Sequence, residues 1–431
     1  MADTFTKEQR EAFDAVLEGK SVFITGPGGT GKSYLLKTLY QQIYDKSDKV
    51  IAITAMTGCA ALLLGRWAKT LHSWAGVGLA RESVEVLAAQ IKKNGRTRKR
   101  WLQTDILVID EVSMLTPELI EKLNEIAKIV RKDSRVFGGL QIVFVGDFYQ
   151  LPPVSKGAET LFVFESPLWK QIVQQTIRLT QILRQADKDF QDILNEARIG
   201  TLSSKSLDVL KTRMDLPWQK QTIKPSLLFT RRHEVDTIND RNIRALKTDR
   251  RILKAETVFK PIPSTAGLTP RTPSVLHAVE KMDKNGAYMT ELILPVGAQV
   301  MLLTNMNSEE ELVNGSRGVV TGFEGDIPMV QFMKGQPIPI APAMWECDEM
   351  EGVCRRQIPL KLAYAITIHK AQGATLDCAL IDVGTATFEY GQAYTALSRV
   401  KNMESLYVWD LDPKAFRAHP KVTAFYKSLE A

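Results

Sequence analysis

The octapeptide Gly26-Pro27-Gly28-Gly29-Thr30-Gly31-Lys32-Ser33 limits the possible folds more than any other stretch of the chain. It fits G-x-x-x-x-G-K-[ST] without a mismatch, follows the apolar run Ser21–Thr25 and opens a helical pattern over Lys32–Tyr44. Glycines let backbone N–H groups wrap phosphates, and the N-terminus of the following helix adds partial positive charge. Lys32 is placed to reach the β- and γ-phosphates of a bound nucleotide, and the Ser33 hydroxyl to ligate Mg²⁺. A glycine-rich turn that binds nothing is the plainer reading, and the flanking strand and helix speak against it.

The first 150 residues repeat this alternation. Val22–Thr25, Val50–Thr54, Ile106–Ile109 and Ile142–Val145 read as buried strands, with helices over Lys32–Tyr44, Thr57–Leu64 and Pro117–Val130. Strands alternating with helices imply a parallel sheet covered on both faces. The alternation breaks between about Val77 and Thr104, where an inserted subdomain is expected. It resumes more loosely beyond Pro153, with strands over Leu227–Thr230, Leu380–Val383 and Leu406–Trp409 and helices over Gln185–Ile199 and Glu389–Val400. Between about Pro261 and Arg355 the Pro/Gly-punctuated strands Gln299–Leu303, Gly318–Gly322 and Met329–Phe332 suggest a small inserted β-barrel. The expected fold is α/β, with two parallel-sheet lobes that each carry an insert.

Length agrees, since 431 residues correspond to about two to four domains. The balance of 56 Lys and Arg against 49 Asp and Glu, a net +7, is weak evidence for a polyanionic partner. Four cysteines, Cys59, Cys347, Cys354 and Cys378, contain no C-x-x-C pair, so reduced thiols are expected rather than a zinc ribbon. No run of 18 uncharged apolar residues and no apolar N-terminal signal core appear, which makes a cytoplasmic location in a bacterium or phage the default expectation, with a nuclear or mitochondrial one the alternative for a trimmed eukaryotic core.

A second motif joins the first. Ile106-Leu107-Val108-Ile109-Asp110-Glu111 is a buried strand ending in two carboxylates. Asp110 stands where a metal-holding carboxylate is needed, and Glu111 where a base for an attacking water is needed. A solvated strand end is the alternative. The second acid favours hydrolysis over phosphoryl transfer to a small molecule.

Further motifs narrow the field. Gly146–Pro153 (GDFYQLPP), Thr367–Gly373 (TIHKAQG) and Tyr394–Arg399 (YTALSR) join Thr54–Leu64 (TAMTGCAALLL) and Thr70–Gly78 (TLHSWAGVG). In this order they resemble the motifs of superfamily 1 helicases, above all the petite-integration-frequency (Pif) branch related to RecD and Dda. Pro117–Gly139 looks like that branch's signature segment, and Leu312–Val320 (LVNGSRGVV) like part of its barrel. The resemblance runs from Phe5 to about Val408.

The resemblance implies two RecA-like lobes. The first comprises 1–76 and 105–160, with a wedge at 77–104; the second comprises 161–260 and 356–431, with an SH3-like barrel at 261–355. It implies ATP and Mg²⁺ as cofactors, with Ser33 and Asp110 at the metal. Gln9 matches the glutamine that reads adenine, and Gly28, Gly29, Thr30, Gly31, Lys32, Ser33 and Gly373 join it around ATP. Gln150 matches the γ-phosphate sensor, and Arg184 and Arg399 the two arginines presented by the second lobe. An always-charged planar donor suits the charge developing on a phosphoryl group.

For the strand contacts the resemblance implies Thr54, Thr57, Gly58, His72 and Ser73 on one lobe and Thr367, His369 and Lys370 on the other. Thr57 serves equally as a helix cap, and His72 as a core histidine. The stretch Lys92–Trp101 carries six basic residues and no acid, and reads either as phosphate attraction through Lys92 and Lys93 or as a solvated loop. Trp74, Trp101 and Phe148 are either base-stacking platforms or core residues. The implied activity is 5′-to-3′ translocation on single-stranded DNA and unwinding of tailed duplex, with G-quadruplex or RNA–DNA hybrid as further substrates and roles in repair, recombination and telomere maintenance. A monomer is expected. Two alternatives stand beside it: a P-loop small-molecule phosphotransferase, and a nucleic-acid clamp without turnover.

Overall fold

In the computed structural model of the chain, residues 5–65, 67–153, 159–221, 223–286, 288–304, 306, 312, 315–333, 335–347 and 349–430 are described. Val313 and Asn314 of the LVNGSRGVV stretch lie outside them. The chain divides into two compact units. One holds residues 1–212, 383–403 and 410–431, the other 213–382 and 404–409.

The first unit is built on a parallel sheet of six strands. In chain order they are β1 (Val22–Thr25), β2 (Ile51–Ala55), β3 (Lys69–Thr70), β4 (Ile106–Asp110), β5 (Gln141–Gly146) and β6 (Gln175–Arg178). Their spatial order is β3-β2-β4-β5-β1-β6. All five pairings are parallel, with Val22 beside Val143 and Ile106 beside Gln141. Ile24, Val108, Val143 and Val145 form one continuous core with Leu35, Leu36 and Leu39 of the helix Lys32–Lys46. Strands buried on both faces have near-continuous apolar sequences, which is why all four early strands are readable without a structure. The strand β6 lies in the stretch 161–260 expected in the second lobe, yet it pairs with β1. Its sequence, Gln-Thr-Ile-Arg, alternates only weakly, because it is an edge strand half open to solvent.

The interruption at 77–104 is helical. Ser83 caps the helix Val84–Lys93 by accepting from Val86 N–H, and Asn94 caps Gly95–Gln103 by accepting from Thr97 N–H. Two expected helices are shorter than their patterns. The Asp187 side chain accepts from the N–H groups of Asp189 and Phe190, so the helix expected from Gln185 starts at Lys188. The helix expected over Glu389–Val400 spans only Gln392–Leu397, since Gly391 precedes it in the left-handed region at φ 69°.

The second unit contains a four-stranded sheet ordered Ala365–Thr367, Ser226–Phe229, Ala379–Val383, Leu406–Leu411, whose first three strands pair in parallel. An antiparallel sheet of five strands follows the order Ile338–Pro339, Ile327–Phe332, Arg317–Glu324, Gln299–Leu302, Leu360–Leu362. Leu253, Leu292 and Leu294 of the ribbon formed by Arg250–Lys254 and Glu291–Pro295 share its apolar core with Val300, Val320 and Leu360. The antiparallel strands therefore begin before residue 261 and continue past 355. All four cysteines are free thiols. No helix among the described residues is long and apolar enough to cross a membrane.

Candidate functional site

At the end of β1 the chain turns sharply at Gly26, where any Cβ would fall 2.3 Å from the Leu179 carbonyl oxygen. Gly31 takes the left-handed conformation at φ 81° and starts the helix Lys32–Lys46. The loop N–H groups and the helix N-terminus thus meet at one edge of the sheet. Lys32 Nζ curls back along this loop and donates to Gly26 O at 2.7 Å and Pro27 O at 2.8 Å. Burial pushes its ammonium down to about 8, while the charges of Asp147, Glu111 and Asp110 oppose that shift. Gln9 is buried beside the loop, its Nε2 donating to Thr30 O at 3.0 Å and its Oε1 accepting from Thr6 N–H at 3.0 Å.

Two carboxylates leave the same edge of the sheet at the end of β4. Burial, followed by the charge of Glu111, raises Asp110 to about 7. Glu111 itself stands in the left-handed region at φ 56°, ψ 44°, an uncommon position for a residue with a Cβ. Its N–H donates to Asp110 Oδ1 at 2.9 Å, which fixes the two acids against each other.

Arg184 and Arg399 both lie in the compact unit that contains the phosphate loop. Arg184 N–H donates to Gly29 O at 3.1 Å, and its Nη1 to Ser398 O at 3.0 Å. Arg399, 2% exposed, donates from Nε to Thr395 O at 2.7 Å and from Nη2 to Ser398 Oγ at 2.6 Å. Burial and the neighbouring Arg399 lower Arg184 to about 10, so it stays charged at neutral pH. Burial also lowers Arg399, and Glu111 is the principal charge opposing that shift. Gln150 is buried on the turn after β5, its N–H donating to Asp147 O at 3.0 Å and its Oε1 meeting no donor among the described residues. Lys32, Asp110, Glu111, Gln150, Arg184 and Arg399 therefore all belong to one compact unit, with the charged groups within electrostatic reach of one another.

Four further residues stand behind this site. Asp147 is fully buried and paired bidentately with Arg198 at 2.9 Å and 2.9 Å. Tyr394 and Tyr426 hydroxyls donate to the same carboxylate at 3.2 Å and 3.4 Å. Asp147 and Tyr394 lie inside motifs visible in the sequence, whereas nothing in the sequence points to Arg198 or Tyr426.

The expected strand contacts fare unequally. Thr54 is fully buried and its hydroxyl donates to Val108 O at 2.6 Å, so it ties β2 to β4 and leaves the candidate contacts. Thr57 caps its helix by accepting from Ala60 N–H at 3.1 Å. Open space surrounds the position a Gly58 Cβ would occupy. His72 and Ser73 are half-buried, and burial lowers the His72 imidazole. Lys92 and Lys93 are exposed, whereas Arg100 is drawn inward to Trp74 O and Ser73 O at 3.0 and 3.1 Å. Trp74, Trp101 and Phe148 are core residues, 3%, 0% and 1% exposed, which removes them as base platforms. Thr367, His369, Lys370 and Gly373 belong to the other unit. There Thr367 caps a short helix by accepting from Lys370 N–H at 3.3 Å, His369 is half-buried and Lys370 exposed.

The model of the PIF1-like helicase family matches residues 4–209, and that of the DNA helicase Pif1 2B domain matches residues 279–323. The human ATP-dependent DNA helicase PIF1 is 37% identical over 98% of this chain, and the chain spans 64% of that protein's length. The crystal structure of Pif1 helicase from Candida albicans is 37% identical, with a TM-score of 0.80 and 99% of each chain covered. The Bacteroides Pif1 helicase in complex with ADP-AlF3 and ssDNA is 27% identical, with a TM-score of 0.69 and coverage of 99% of this chain and 97% of that one.

Proposed function

The chain belongs to the PIF1-like helicase family, and from that membership and the site geometry we infer that it is an ATP-dependent DNA helicase. The observation that carries this reading is the meeting of a phosphate loop, two adjacent carboxylates and two arginines, Arg184 half-buried and Arg399 buried, in one unit. Glu111 is the base that takes the proton of the attacking water, and Gln150 orients that water. Arg184 and Arg399 stabilise the charge that develops on the transferred phosphoryl group. Lys32 exchanges its bonds to Gly26 O and Pro27 O for phosphate oxygens. Gln9 holds the loop and faces the base.

The exposed Ser33 hydroxyl and the Asp110 carboxylate suit Mg²⁺, a hard cation that takes few protein ligands when phosphates supply the rest. When bound there, Mg²⁺ would supply charge neutralisation at the phosphates.

Thr57, Gly58, His72, Ser73, Thr367, His369 and Lys370 grip the backbone of single-stranded DNA through hydroxyls, N–H groups and charge. Lys92 and Lys93 draw the phosphates toward the helical insert, which acts as the wedge. Movement runs 5′ to 3′ in a monomer, and tailed duplex is the substrate, with G-quadruplex and RNA–DNA hybrid as further ones. The test is strand separation with ATP and Mg²⁺ on duplexes carrying either a 5′ or a 3′ single-stranded tail. Unwinding of the 5′-tailed duplex alone is expected. Unwinding from the 3′ tail overturns the polarity, and the absence of both unwinding and DNA-stimulated ATP hydrolysis overturns the helicase reading.

A further inference from the structure

Behind the catalytic groups, the Asp147 carboxylate collects an unusual number of donors. Arg198 Nε and Nη2, the Tyr394 and Tyr426 hydroxyls and Tyr149 N–H all point to its two oxygens. Arg198 is further held over the rings of Tyr149 and Tyr426, 4.6 Å and 5.3 Å from their centroids. A carboxylate this saturated is no base and no metal ligand. It is an anchor.

Two things are fastened to it. Asp147 O accepts from Gln150 N–H, so the anchor holds the turn that presents Gln150. The Tyr394 hydroxyl donates to Asp147 Oδ2 and accepts from Gly28 N–H at 2.8 Å. One phenol thus joins the phosphate loop to the sensor turn. Burial and the Asp147 charge raise the Tyr394 phenol, which keeps its proton available for Asp147. Tyr394 also lies on the helix Gln392–Leu397, directly before Ser398 and Arg399. Ser398 Cβ is only 3.2 Å from where a Gly28 Cβ would stand.

We propose that Tyr394 is a positioning residue for ATP hydrolysis, its hydroxyl setting the placement of Gln150 and Arg399 against the phosphate loop. This rests on the reading of the chain as an ATP hydrolase. Tyr426 provides the internal comparison. Its hydroxyl also bonds Asp147, yet its other partners are Thr25 Oγ1 and Phe148 N–H, with no bond to Gly28. Tyr394→Phe and Tyr426→Phe each keep the ring and remove one buried hydroxyl.

The experiment measures steady-state ATP hydrolysis with saturating single-stranded DNA, together with melting temperature, for the wild type and both variants. Wild-type hydrolysis is measured first: its absence sinks the functional reading and the proposal with it, whereas an active wild type beside an unimpaired Tyr394→Phe sinks the proposal alone. Given wild-type activity, Tyr394→Phe is expected to lower kcat about tenfold with KM within twofold, as when a contact serves the transition state alone. Tyr426→Phe is expected to lower the melting temperature comparably and kcat by less than threefold. The proposal fails if Tyr394→Phe retains kcat within twofold, if its effect falls on KM, or if both variants lose kcat equally. Any of these outcomes reduces the hub to support of the fold.

Discussion

Lys32 is held between two demands. Burial disfavours its charge, while phosphate binding requires that charge. A lysine lowered to about 8 is protonated below that pH and loses its proton as pH rises through it. We therefore expect kcat/KM for ATP to decline on the alkaline side from about pH 8, the free enzyme's value for this group, rather than near the ordinary lysine range. Arginine in its place removes the titration, so a Lys32→Arg protein with residual activity and the same alkaline limb would assign that limb elsewhere. The residue scale was largely legible in the sequence. Lys32, Asp110 and Glu111 follow from fixed spacing and from the chemistry that phosphates demand. Asp147 was visible only as part of GDFYQ, because its role depends on Arg198, 51 residues away in sequence and unmarked by any pattern.

Among the elements, the insert at 84–103 shows what composition conceals. Six basic residues suggested a polar excursion, yet the two helices bury Leu87, Ala88, Ile91 and Trp101. Trp101 packs against Trp74 with ring centroids 4.6 Å apart and planes tilted by 50°, and donates from Nε1 to Ala75 O at 2.9 Å. Arg131, from the helix Pro117–Arg131, reaches across to Thr104 O at 2.9 Å. Trp101→Ala should cost about 3–5 kcal/mol in urea unfolding, the usual range for truncating a buried aromatic. A loss under about 1 kcal/mol would show that the insert is held by its capping and charge instead. Helix limits were predicted well where caps were strong, as at Thr116-Pro117, and poorly where a glycine or an aspartate reset the start. The weakly alternating β6 escaped notice, because its membership is decided by pairing with β1 and not by its own side chains.

At the scale of the whole molecule, the chain passes between the two compact units four times, near residues 212, 382, 403 and 409. Sequence patterns mark strands and helices locally and carry no label for the unit that receives a returning segment, so the expected boundary at residue 160 fell inside the first unit. The returning segments contribute Tyr394, bonded to Gly28 N–H, Tyr426, bonded to Thr25 at the end of β1, and Arg399, within electrostatic reach of Glu111. A fragment of residues 1–212 retains the loop and both acids but none of these three. We expect it to bind ADP at least tenfold more weakly than the full chain and to lack a cooperative thermal transition, as read by calorimetry. Native-like affinity in that fragment would show that the returning segments are dispensable for the pocket.

The same threading imposes an order of assembly during synthesis. Domains ordinarily complete themselves from the N-terminal end as the polypeptide emerges from the ribosome. Here the first-made sheet, with its apolar strands and its buried Asp110, waits for partners encoded some 180 to 215 residues beyond residue 212, the last of them Tyr426. The nascent chain must carry an unfinished phosphate-loop pocket until residue 426 has emerged, so that pocket is completed only after the helix Pro420–Ser428 has been made.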